Sequence, residues 1–204
     1  MIANQLPLLL LLGASIWLAR WWMIDYHAAL AGKPSEKPLP GSTPASGRAV
    51  AVASVGALCI LAAETGGEHI LGLSAGQSKM TALFGLYSVL GAPVIEEVVF
   101  RGYLVIEDRG RVVLWAGVVG VSILFALLHP FLWEWNGQGF TVLLSATAWF
   151  STAAIFAGSL WFYTVRFFGL NPHRSLWPCF VAHATRNLGV VAIKYVQGFV
   201  GGWW

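Results

Sequence analysis

The chain has 204 residues, of which 57% are hydrophobic and only 10% charged, with a mean hydropathy of +0.70. Soluble domains carry about 25% charged residues, so this composition excludes an ordinary water-soluble globule and describes a polytopic membrane protein. The net charge of +3 resides mostly in Lys and Arg of the connections, where it sets topology and gives no argument for nucleic-acid binding.

The apolar segments are long and continuous rather than short and alternating, which predicts an all-α transmembrane helical bundle and not a barrel. About six spans can be drawn, at 6–23, 49–63, 80–100, 112–129, 139–165 and 176–197. Residues 1–5 lack the basic start of a signal peptide, so Leu6 to Met23 reads as a retained first span. The stretch from Asp25 to Arg48 carries Pro34, Pro38, Pro40 and Pro44 and reads as a flexible linker. The predicted organisation is therefore a first helix and Pro-rich linker over 1–48, then a helical core over 49–204.

Basic residues favour the odd connections. Arg20, Lys33, Lys37 and Arg48 flank the first, Arg109 and Arg111 the third, Arg166 and Arg174 the fifth. The second holds only Lys79, and Pro130 to Gly139 holds none. The positive-inside rule then places both termini outside; the expected location is the plasma membrane of a prokaryote. Trp17, Trp21, Trp22, Trp133, Trp135 and the Trp203-Trp204 pair lie near span ends, as interfacial aromatics do. Cys59 and Cys179 both fall within apolar segments, so no disulfide framework is expected. His27, His69 and His173 are read as solvated loop residues.

The third span ends in Val94-Ile-Glu96-Glu97-Val-Val-Phe100-Arg101-Gly102, after a run from Thr81 to Ile95 without a single charge. A carboxylate at lipid depth costs several kcal/mol, so the pair must serve structure or chemistry. Adjacent helical residues point about 100° apart, so Glu96 and Glu97 face different partners. Arg101 stands four residues after Glu97, the favourable order for an ion pair, which leaves Glu96 free to face inward. His129 ends the fourth span in Phe125-Ala-Leu-Leu-His129-Pro130, with Phe125 one turn below on the same face. His183 and Asn187 share a face of the last span at i, i+4. Arg186, between them in sequence, needs a partner or water. No His-Glu-x-x-His is present, and no Ser has a base at fixed spacing, which disfavours zincin and serine-hydrolase chemistry.

A carboxylate and an imidazole can position and deprotonate a water. A second imidazole and an amide can donate to a developing oxyanion. Together Glu96, His129, His183 and Asn187 make a hydrolase of acyl groups, most simply a peptide bond. A transporter or scaffold using the same Glu and His side chains for proton relay or partner binding is the alternative. It has no need of the His183/Asn187 pair. Counting along the helices, Glu96 and His129 should come within direct or one-water reach, about 3–5.5 Å. His183 and Asn187 should face the same cavity from across the bundle. The cavity should open away from the Arg109–Arg111 turn.

Glu-Glu-x-x-x-Arg at 96–101, Phe-x-x-x-His at 125–129 and His-x-x-x-Asn at 183–187, in this order and each in an apolar segment, resemble the CPBP family. This is the type II CAAX prenyl endopeptidase and bacteriocin-processing group of intramembrane proteases. The resemblance covers about residues 80–197. It implies that Glu96 and His129 activate water, that His183 and Asn187 stabilise the oxyanion, and that Glu97 and Arg101 support the site. It implies a glutamate-dependent protease without a cofactor. Zinc is the weaker alternative, because the recurring amide is a poor zinc ligand. The implied partners are the bilayer and a membrane-anchored protein or hydrophobic peptide as substrate. Arg186 departs from the small or polar residue usual at its position.

Overall fold

Ser46, Thr81 and Ser145 each stop the preceding connection by the same device. Their hydroxyls accept the backbone N–H three residues on, at Ala49, Phe84 and Ala148. Such caps satisfy donors that a helix start otherwise leaves free. The computed structural model describes residues 5–203; residues 1–4 and Trp204, the second member of the expected terminal aromatic pair, lie outside the described residues. In chain order the elements are α1 (Leu6–Leu30), α2 (Gly47–Ile70), α3 (Ala82–Leu90), α4 (Ala92–Glu96), a π-helical turn (Glu97–Tyr103) and α5 (Arg111–Leu128). A hairpin of β1 (Trp133–Trp135) and β2 (Phe140–Val142) follows, then α6 (Ala146–Phe167) and α7 (Trp177–Val196). The protein is a polytopic helical bundle, with one two-stranded antiparallel sheet among the described residues.

Among the described residues five segments are long and apolar enough to cross a membrane: Leu6–Leu30, Gly47–Ile70, Ala82–Tyr103, Arg111–Leu128 and Ala146–Phe167. The sixth expected span, α7, has 20 residues, about 30 Å of helix, but is too polar to qualify by composition. The reason is its position. It packs against α2, α3, α4 and α6, so His183, Arg186 and Asn187 face protein and not lipid.

Helix α2 makes this close packing possible. Ala49, Ala53 and Ala57 form a fully buried stripe of small side chains, which lets neighbouring backbones approach. Trp161 of α6 donates its indole N–H to the Ala53 carbonyl at 2.9 Å, beside Gly56. The third span is broken by Gly91 and Pro93. Proline cannot donate the helical hydrogen bond and crowds the carbonyl four residues back, so α3 ends and α4 restarts there.

Four expectations are corrected. The second span continues to Ile70, so His69 lies on a helix, as does His27 in the last turn of α1; both are nevertheless exposed. The fifth span begins at Ala146, because 140–142 pairs with 133–135. The third span is not a continuous helix. The Pro-rich connection is not a free linker either. Asp25 accepts from Ser35 Oγ at 2.6 Å and from Leu39 N at 2.8 Å, and Trp22 donates to the Pro40 carbonyl at 3.1 Å. Gly41, at φ +62, accepts from Leu176 N at 2.9 Å where a Cβ would strike Leu176. Trp22 also packs on Phe180 (4.8 Å between ring centres) and Trp177 (6.2 Å), tying α1 to α7. Proline lowers the entropy lost on ordering, so a Pro-rich stretch is easily held once polar anchors exist.

The α2/α6 contact yields a direct test. A methyl at Gly56 would run into the Trp161 indole, so Gly56→Ala should lower stability by about 1–3 kcal/mol. Gly13→Ala, with nothing within 4 Å of the added carbon, should cause no loss. Thermal unfolding of the two variants in detergent makes the comparison.

Candidate active site

The Glu-Glu-x-x-x-Arg motif straddles the change from α-helical to π-helical winding. Glu96 is the last residue of α4, and Glu97 to Tyr103 form the wider turn, where Leu104 N reaches back five residues to Val99 O at 3.0 Å. Single π turns inside helices recur at functional sites. The widening loosens the carbonyl ladder, and Tyr163 of α6 donates its hydroxyl to the Phe100 carbonyl at 2.6 Å.

Glu97 and Arg101 are both fully buried and pair at 3.3 Å. Arg101 also donates to Ser159 Oγ at 2.7 Å, and Ser159 donates onward to Ser122 at 3.0 Å. The guanidinium carbon lies 4.4 Å from the Phe125 ring centre, 5.1 Å from Tyr163 and 5.3 Å from Phe162. Cation–π attraction in such a desolvated box offsets part of the cost of burying the charge.

His183 of α7 does more than pair with Asn187. Its Nδ1 lies 2.8 Å from Glu97 Oε1, the same oxygen that Arg101 approaches, and its Nε2 lies 3.8 Å from Glu96 Oε2. The ring stacks on Phe162, with centres 4.9 Å apart. A carboxylate only accepts, so Nδ1 carries the proton in the first contact. His183 thus sits directly beside both carboxylates. Asn187 donates one amide hydrogen to the Ser88 carbonyl at 2.7 Å and keeps the other.

His129 follows the last turn of α5. Its Nδ1 lies 2.8 Å from the Phe125 carbonyl, which can only accept. The neutral ring therefore holds its proton on Nδ1 and leaves Nε2 as a base. Phe125 packs against His129 at 4.7 Å, and Phe131 lies parallel to it at 6.3 Å. No direct hydrogen bond joins His129 to Glu96. Instead Glu96, His129, His183 and Asn187 all line one cavity of about 960 Å³. The cavity lies among the end of α2, α3 and α4, the end of α5, α6 from Thr147 to Phe162, and the later part of α7.

The structure adds residues that sequence reasoning missed. Arg186 also lines the cavity and finds its partner in Glu64 of α2, at 2.6 Å. Ending the second span at residue 63 had hidden Glu64 in a loop. The available signal was the unpaired cation itself, since a buried Arg186 demands a carboxylate and Glu64 stands near the end of an apolar span. Tyr163, Ser159 and Ser122 carried no signal in the sequence. A Gly-x-Ser-x-Gly spelling does occur, at 72–76, but it lies on a short 3₁₀ turn (Ser74–Gly76) between two helices. A nucleophile elbow needs a strand-to-helix turn, so this context does not fit. Among the described residues no group of three or more His, Cys, Asp or Glu is arranged to hold a metal ion.

The fold defines the class: a polytopic helical membrane protein in which carboxylates and imidazoles line an internal cavity. Residues 78–189 match the family model described as type II CAAX prenyl endopeptidase, Rce1-like. The chain belongs to this family of membrane proteases. No curated protein and no solved structure matches the chain. The matched region contains Glu96, Glu97, Arg101, His129, His183 and Asn187, whereas Glu64 and α1 lie outside it.

The Glu64–Arg186 pair joins that outside region to the cavity, and its worth is measurable. Glu64→Ala strands a guanidinium whose side chain is 7% exposed, which should cost about 3–5 kcal/mol. Changing both partners, Glu64→Leu with Arg186→Met, should restore much of that loss, because no unpaired charge is left. Melting temperatures of the two single variants and the double variant form the cycle.

Proposed function

We propose that this protein hydrolyses a peptide bond of a membrane-associated protein or hydrophobic peptide with a water activated by Glu96 and His129. The observation that carries the reading is the convergence of Glu96 from α4, His129 from the end of α5, and His183 and Asn187 from α7 on one cavity. Its walls also include Leu61, Phe84, Tyr87, Phe131, Leu143 and Ile193, an apolar lining suited to an extended hydrophobic segment.

The chemistry follows from the donors and acceptors. A water held between the Glu96 carboxylate and His129 Nε2 loses a proton to Glu96 as its oxygen attacks the carbonyl carbon. Negative charge then moves to the carbonyl oxygen. The remaining amide hydrogen of Asn187 and, with the His183 ring carrying a proton on both nitrogens, its Nε2–H are the donors for it. When the C–N bond breaks, the proton on Glu96 passes to the leaving amine, and the carboxylate is restored. Glu97 and Arg101 do not touch the substrate in this scheme. They hold His183 and the backbone of Glu96 in register.

The division of labour between neighbouring carboxylates is the sharpest test. With a prenylated CAAX peptide as probe, Glu96→Ala should abolish cleavage while the protein stays folded in detergent. Glu97→Ala should instead lower thermal stability, because it leaves Arg101 buried and unpaired. Equal loss of fold in both variants removes this assignment.

The oxyanion assignment predicts a different kinetic pattern. Asn187→Ala should lower kcat by roughly 10²–10³ with a smaller rise in KM. A change in KM alone would move Asn187 to substrate binding. In this reading activity also survives a chelator; activity lost to chelation and restored by zinc would reassign Glu96 and the histidines as metal ligands.

A further inference from the structure

We infer that the cavity opens on the extracytoplasmic face of the membrane, and that the substrate is an exported or outer-leaflet polypeptide. The second clause rests on the cavity being the proteolytic site. The first rests on the course of the helices and the placement of charge.

The cavity enters from one end of the bundle and reaches well into it. It touches α2 from Leu61 to Glu68, the third span from Phe84 of α3 to Glu96 of α4, α5 only at Phe125, α6 from Thr147 to Phe162, and α7 from His183 to Lys194. It also reaches Gly76 to Met80 before α3 and Pro130, Phe131 and Val142 to Ser145 between α5 and α6. The connections 71–81 and 129–145 and the tail after Val196 therefore belong to the cavity end. The connections 31–46, 104–110 and 168–176 belong to the other. Contacts within each end agree with this division. Met80 N donates to Phe199 O at 2.9 Å at the cavity end. Glu107 pairs with Arg166 at 3.4 Å and also with Arg174 at the other.

The basic residues divide unequally between the two ends. The cavity end has Lys79, and Lys194 in the last turn of α7. The other end has Lys33 and Lys37, Arg48 at the start of α2, Arg109 and Arg111, Arg166 and Arg174. Arg101 and Arg186 are interior and paired, so they carry no topological weight. Glu107 neutralises part of the far end, but orientation follows Lys and Arg count and not net charge. The connections are all short, which is the range where this rule applies. A bias of this size keeps the far end in the cytoplasm. The cavity then faces outward, beside a hairpin whose Trp135, Phe140 and Val142 are exposed, as suits an interfacial element. A scissile bond displayed only at the cytoplasmic surface would meet the closed end of the bundle.

The test reads the sidedness directly. In a background carrying Cys59→Ala and Cys179→Ala, one cysteine is placed at the hairpin tip (Gln138→Cys) or at the opposite turn (Asp108→Cys), both exposed positions. Intact bacterial cells expressing each variant are treated with a membrane-impermeant maleimide, then compared with permeabilised cells. Gln138→Cys should label at least about tenfold more than Asp108→Cys in intact cells, with both labelled after permeabilisation. Preferential labelling of Asp108→Cys, or equal labelling of both, overturns the inference. A catalytically inactive Glu96→Gln version should label identically. A failure of the proteolytic reading is thereby separated from a failure of the orientation.

Discussion

One carboxylate oxygen, Glu97 Oε1, lies 3.3 Å from Arg101 and 2.8 Å from His183. A lone carboxylate in such a dry position would cost far more than any single contact returns. Shared between two donors, it becomes the point at which the π-helical turn and α7 must meet. Shifting α7 by one residue along its axis would move His183 by about 1.5 Å and swing it by about 100°, breaking the contact. This bond therefore fixes register, which is the best-attested use of buried ion pairs. Glu96, the neighbouring residue, is carried with it to the cavity wall.

The rest of the network holds Arg101 still. Its charge has to be compensated without water, and α6 supplies the means: Ser159 as acceptor and Tyr163 and Phe162 as ring faces, with Phe125 from α5. Tyr163 has a second task, closing the carbonyl that the π turn exposes. One side chain thus pays for two departures from regular helix. Phe125 likewise serves two roles, packing its ring on Arg101 and His129 while its carbonyl accepts from His129. Support and chemistry are built from the same atoms.

The boundary of the family match does not mark a boundary of packing. Helix α2 precedes residue 78, yet its small-residue stripe forms a principal face of the bundle and its Glu64 pairs with cavity-lining Arg186. The connection before it is anchored to α1 and to the start of α7. The unusual Arg186 is explained in part by this partner. An arginine beside Asn187 is tolerable because α2 brings a carboxylate to it.

Much of this molecule was legible before any coordinates. Hydropathy marks most spans because each segment answers to the bilayer independently, and the Glu97–Arg101 pair follows from spacing within a single turn. The three motifs are likewise strings of neighbouring residues, and they sufficed for the family. What only the tertiary structure decided is which of these groups touch: His183 against both carboxylates, Asn187 on Ser88, Arg186 on Glu64, and a Pro-rich connection held rather than free. The polarity of α7 misleads a reading by composition because its partners come from other helices. The π turn is invisible because its loosened carbonyl is satisfied by a tyrosine distant in sequence. Spacing along one helix is a local property of the chain, whereas pairing between helices depends on their relative rotation and depth, which packing of the whole bundle sets.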